Sequence, residues 1–175
     1  MAGKSKTRAV NGAVSACIAV FFVVHASIGS VMGFVPLSTN FAWAVWLGVG
    51  LAAAHVVLCV ATSVQQLTDA VRPPSIHKKR HLALKWATGA ALFAVAAAHV
   101  VVARTAGAHD MLADISGVAV IVALATALAV HLCVGSKSLL KDLNISRSYR
   151  TAVRAAACAF AVVFAVAALA GFAIR

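Results

Sequence analysis

The residues of this chain best suited to chemistry are its histidines. Of seven, His77, His81 and His109 lie in or beside polar stretches and read as solvated surface side chains. The other four, His25, His55, His99 and His131, are each embedded in an apolar run, as VVHAS, AAHVV, AAHVV and AVHLC. A neutral imidazole offers a nitrogen lone pair to a metal. Two imidazoles on opposite sides make an axial ligand set for haem iron. A lone histidine in an apolar helix reads more plainly as a core residue bonded to a carbonyl or a hydroxyl. One in each of four consecutive runs favours function, because polar groups in lipid are costly.

The elements that must position these side chains follow from composition. The chain has 175 residues, 63% apolar and 11% charged, with mean hydropathy +0.98. Soluble domains are about half apolar and about a quarter charged. A hydrocarbon core needs roughly 20 apolar residues per helix. Five such runs occur, over 10–35, 41–64, 86–103, 115–135 and 155–174, and the longest polar stretch leaves no room for a soluble domain. Alternating barrel strands are absent. The expected fold is one all-α membrane domain of five transmembrane helices. The first run is too long for a signal peptide and carries a histidine. Cys17, Cys59, Cys133 and Cys158 all sit within apolar runs without metal-ligand spacing, and read as small hydrophobes. No C-x-x-C-H occurs, which excludes covalently attached haem.

Charge sets the expected orientation, since loops rich in Lys and Arg stay cytoplasmic. Lys4, Lys6 and Arg8 precede the first span. Arg72, Lys78, Lys79, Arg80 and Lys85 lie between the second and third. Lys137, Lys141, Arg147, Arg150 and Arg154 lie between the fourth and fifth. Only Arg104 and Arg175 fall on the opposite side. The N-terminus is expected in the cytoplasm and the C-terminus outside, in a multi-pass protein of the cell's inner (cytoplasmic) membrane. The net charge of +11 is juxtamembrane and lacks the aromatic interleaving that stacks bases, so nucleic acid is not an expected partner. Anionic membrane lipid is one.

Depth then pairs the histidines. At about 1.5 Å per residue, His25 and His99 lie roughly 22 and 21 Å from the cytoplasmic edge, and His55 and His131 roughly 14 and 7 Å. In an up-and-down bundle the first helix faces the third diagonally, and the second faces the fourth. The spacing predicts that the first four helices hold two haems, His55 with His131 at the inner level and His25 with His99 at the outer, with the fifth helix flanking. Zinc would want three or four ligands at one depth. Quinone-site candidates are Asn40, Trp43 and Trp46 at the outer side, and Gln65, Gln66 and Trp86, beside Ser63 and Lys85, at the inner. The plainer readings are an interfacial aromatic belt and a helix end meeting water.

Three segments resemble one family. HLCVGSKSLLKD, with His131, Gly135, Lys137 and Asp142, is similar to an H-x-x-x-G-x-[RK]-x-x-x-x-D element around a haem ligand. WATGAALFAVAAAH, from Trp86 to His99, is similar to a segment with Trp, Thr-Gly and a ligand histidine ten residues on. HVVLCVATSVQQL, from His55, resembles the second ligand helix. The family is the dihaem cytochrome b membrane anchor subunit of quinol:fumarate reductases and succinate:quinone reductases, and the likeness covers nearly the whole chain. It implies two haem b groups, and menaquinone or another quinone as diffusible substrate. It also implies an iron–sulfur subunit and an FAD-containing flavoprotein on the cytoplasmic side, with the dicarboxylate chemistry in the flavoprotein. Lys85 and Lys137 are expected to snorkel toward the inner haem's propionates. The chain departs from the family in having Ala129 two residues before His131, where a glutamate can stand, and no acid in PLSTNFAW. Two other readings stay open: a cofactor-free anchor or small transport component, and a cytochrome b subunit of a hydrogenase or nitrate reductase. The latter families usually carry two ligand histidines on one helix.

Overall fold

The computed structural model describes residues 6–34, 42–68, 75–105 and 111–173. They form five long helices: α1 (Lys6–Phe34), α2 (Ala42–Thr68), α3 (Ile76–Thr105), α4 (Met111–Asp142) and α5 (Arg150–Ala173). A 3-10 turn at Arg147–Tyr149 precedes α5, and no strand occurs among the described residues. Each of the five is long and apolar enough to cross a membrane, and the chain is an all-α, multi-pass membrane protein.

The helices run past the apolar spans at the basic end. α2 includes QQLT, α3 begins ten residues before Trp86 and takes in HKKRHLALK, and α4 continues through SKSLLKD. These segments lack Gly or Pro and are rich in Lys, Leu and Ala, so nothing stops the helix before the chain does. The stops are local. Ser75 follows Pro74 and caps α3, its Oγ accepting from Lys78 N–H at 3.4 Å. At the end of α4, Asn144 takes φ 63°. Ile145 N–H then reaches back to Leu140 O at 2.8 Å, and Asn144 N–H to Lys141 O at 3.3 Å. That is the left-handed cap asparagine tolerates.

Small side chains let the helices meet. The buried apolar residues are Ala44, Ala125, Leu128, Ala129, Leu140 and Ala157. Large ones such as Val57, Phe93, Val101 and Val162 point outward, where lipid replaces water and exposure costs nothing. α1 packs against α2 and α4, and α3 against α4. Two hydrogen bonds tie α2 to α3 at the basic end: Trp86 Nε1–H donates to Ser63 Oγ at 3.2 Å, and Lys78 Nζ to Gln66 O at 3.2 Å. Among the described residues, the diagonal pairs, α1 with α3 and α2 with α4, do not pack along one another. α2 and α3 do not pack closely along one another either among the described residues, so packing runs from α2 through α1 and α4 to α3, and the two hydrogen bonds bridge α2 and α3. α5 lies along α4 and also touches α1.

Two contacts fix this arrangement closely. A Cβ on Gly12 of α1 would stand 3.0 Å from Asp142 Cβ and 3.1 Å from the Asp142 carbonyl carbon, so α1 meets the end of α4 backbone to backbone. Between α4 and α5, Cys133 and Cys158 are free thiols with sulfurs 3.9 Å apart. Copper-phenanthroline oxidation should therefore join them. After tryptic cleavage between α4 and α5, the two fragments should migrate together until a reductant is added, and Cys158→Ser should release them. Fragments that separate without reductant would show that this helix register is wrong.

Candidate functional site

The inner pair of histidines comes together between α2 and α4. His55 on α2 and His131 on α4 have ring centroids 6.4 Å apart and planes at 89°. Two imidazoles ligating one metal ion from opposite sides have centroids about 6.3 Å apart, from metal–nitrogen bonds of about 2.0 Å and the size of the ring. Perpendicular planes are compatible with this, because each ring turns freely about its own metal–nitrogen axis.

Neighbouring helices hold both rings by the same atom. Ser15 Oγ of α1 lies 3.1 Å from His55 Nδ1. Thr88 Oγ1 of α3 lies 3.1 Å from His131 Nδ1. Next to Thr88, Gly89 lets the His131 ring lie against the α3 backbone: a Cβ there would be 3.3 Å from His131 Cε1. Cys59, one turn beyond His55, places its sulfur 3.6 Å from His55 Nε2 and 3.7 Å from Asn11 Oδ1 of α1. Asn11 and Thr62 are buried beside this layer. Lys85 is half-buried and lies within electrostatic reach of both imidazoles.

The outer pair is defined more loosely. His99 on α3 is half-buried and within electrostatic reach of His25 on α1. His25 is exposed and stacks on Phe21, centroids 5.7 Å apart and planes at 11°. It lines an apolar cleft of about 590 Å³ between α1 and α2, together with Trp43 and Leu47. The two levels can be spaced along one helix. Thr88 belongs to the inner layer and His99 to the outer, eleven residues on, or roughly 16 Å along α3. Ser15 and His25 give roughly 15 Å along α1.

The other expected site residues divide. Lys137 is exposed on α4, whereas Lys85 is drawn to the inner pair. Trp43 and Trp46 are 63% and 72% exposed, as belt residues facing lipid would be. Asn40 lies outside the described residues. Trp86 is bonded to Ser63, Gln66 receives Lys78 on its carbonyl, and Gln65 is half-buried. Ser15, Asn11 and Cys59 were not legible as site residues. Ser15 lies 40 positions from the ring it touches, and no local pattern marks it.

The donor set tests what this site suits. Among the described residues no group of three His, Cys, Asp or Glu converges, and the inner level brings two imidazoles together. That suits a haem iron, whose other four positions the macrocycle fills. The glycine and small residues around His131 suit a flat ring. No family model, curated protein or solved structure matches this chain. The fold and site thus define a class by themselves: a five-helix membrane bundle in which two imidazoles, His55 and His131, come together.

Proposed function

We propose that this chain is a two-haem cytochrome b of the cytoplasmic membrane. It would be the anchor subunit that moves electrons between the quinone pool and cytoplasmic iron–sulfur and flavoprotein subunits of a fumarate reductase or succinate dehydrogenase complex. The observation carrying this reading is the inner pair: two imidazoles with centroids 6.4 Å apart, each with a hydroxyl from a different helix 3.1 Å from its Nδ1. When bound, each haem supplies a one-electron ferric/ferrous couple.

The chain's own residues do the rest. His55 and His131 hold the inner group, and His25 and His99 the outer. Apolar spans exclude water from both levels. Lys85 sets a fixed positive charge beside the inner pair, which favours negative charge there, such as a propionate or an added electron. The cleft beside His25 and Trp43 opens to lipid and suits an apolar quinone tail. The basic end, with Lys78, Lys79, Arg80, Lys141 and Arg147, suits electrostatic docking of soluble subunits.

The test is a reduced-minus-oxidised spectrum of the purified full-length chain, followed by a pyridine haemochrome assay. A b-type α-band and two haems per chain are the expected results. Absence of an α-band would leave the cofactor-free anchor as the better reading. Identification of co-purifying flavin and iron–sulfur subunits then checks the assignment to a complex.

A further inference from the structure

Both inner imidazoles share one hydrogen-bonding arrangement, and it determines which nitrogen is free. Thr88 Oγ1 has two backbone carbonyls of its own helix in reach of its one proton, Leu84 O at 2.9 Å and Lys85 O at 3.1 Å. Ser15 Oγ likewise donates to Asn11 O at 2.6 Å. A hydroxyl has one donor and two acceptor lone pairs. When that proton goes to a carbonyl, the oxygen meets the adjacent imidazole as an acceptor, and Nδ1 then carries the hydrogen.

We propose that Ser15 and Thr88 are positioning residues that lock His55 and His131 in the Nδ1–H tautomer, which puts the lone pair on Nε2, the nitrogen that at His55 lies 3.6 Å from the Cys59 sulfur. This rests on the dihaem reading for its purpose but not for its geometry. The outer level is built differently. His25 rests on the Phe21 ring.

Two consequences follow from the chemistry. A hydrogen bond from Nδ1–H to an oxygen orients the ring and makes Nε2 more basic. Losing such a partner typically lowers metal affinity about 10–100-fold. A more basic ligand favours the ferric state, so removing the bond should raise the inner midpoint potential. The outer potential should move little.

The experiment uses the full chain in lipid bilayers, with ¹⁵N-labelled histidine, prepared without haem at a pH where the imidazoles are neutral. Nitrogen shifts then report the tautomer of each ring. His55 and His131 are expected as Nδ1–H. Thr88→Val, close in shape but without the hydroxyl, should release His131 toward Nε2–H, and Thr88→Ser should restore it. Ser15→Ala should do the same to His55 alone. An Nε2–H tautomer at His131 in the unaltered chain, or one indifferent to Thr88→Val, overturns the proposal.

Haem-loaded protein supplies the second readout, in case the haem-free chain folds poorly. There, Thr88→Val should weaken retention of the inner haem about 10–100-fold and raise its potential, with rescue by Thr88→Ser. Equal loss in Val and Ser variants would indicate packing alone and would also overturn it. If the purified chain takes up no haem, the dihaem reading fails while the tautomer result still decides the role of the hydroxyls.

Discussion

His131→Ala should leave a chain that carries one haem where the unaltered protein carries two. The loss should fall on the inner group and leave the outer spectrum and potential largely unchanged. The reason is geometric. His131 and His55 meet at this level, 6.4 Å apart, and among the described residues no group of three His, Cys, Asp or Glu converges there. The outer pair lies roughly 15 Å away along α1, on residues that do not touch His131. Alanine keeps the helix, since it is the best helix former, so the variant separates ligation from folding. Haemochrome stoichiometry and a redox titration read the outcome. Loss of both haems, or of neither, would refute the pairing by depth.

The second large effect lies away from the ligands. Gly12→Val should loosen α1 from α4 and take the inner haem with it. The Cβ would stand 3.0–3.3 Å from Asp142 Cβ, the Asp142 carbonyl carbon and Leu143 N. Two of these are backbone atoms and cannot swing aside as a side chain would. Overpacking of this kind costs about 1–3 kcal/mol. Asn11 and Ser15 lie on the same part of α1, so a displaced helix withdraws the hydroxyl from His55. The unfolding midpoint in detergent should fall, and inner haem should be lost before outer. Gly135→Ala is the control. Gly135 is part of HLCVGSKSLLKD, yet a Cβ there meets nothing within 4 Å, so this change should be neutral or slightly stabilising. Equal stability of the Gly12 and Gly135 variants would mean that α1 does not approach α4 as described.

Much of this was legible in the residues. The five spans follow from apolar runs. The levels of the histidines follow from counting: His55 and His131 stand nearer the basic ends of their helices than His25 and His99 do. The helices nonetheless overran the apolar spans, because lipid bounds hydrophobicity and not helicity. α3 begins at Ile76 and not near Trp86, since Lys, Arg and Leu continue a helix into the headgroup region.

Other features could not be read this way. Thr88 and Gly89 stood out as a Thr-Gly pair without a role, and Ser15 did not stand out at all. Their partners are 43, 42 and 40 positions away in the chain. Lys85 and Lys137 looked alike, both one step inside a basic loop. Only packing separated a half-buried cation near two imidazoles from an exposed one.

The sequence by itself determined five helices long and apolar enough to cross a membrane and the position of each imidazole along its helix, because helix rise is a fixed length. The tertiary structure decided how each helix is turned about its axis, and hence which hydroxyl meets which ring. A helix that is apolar all round carries no polar face to reveal that rotation. It is set by where glycine, alanine and serine let neighbouring backbones come close.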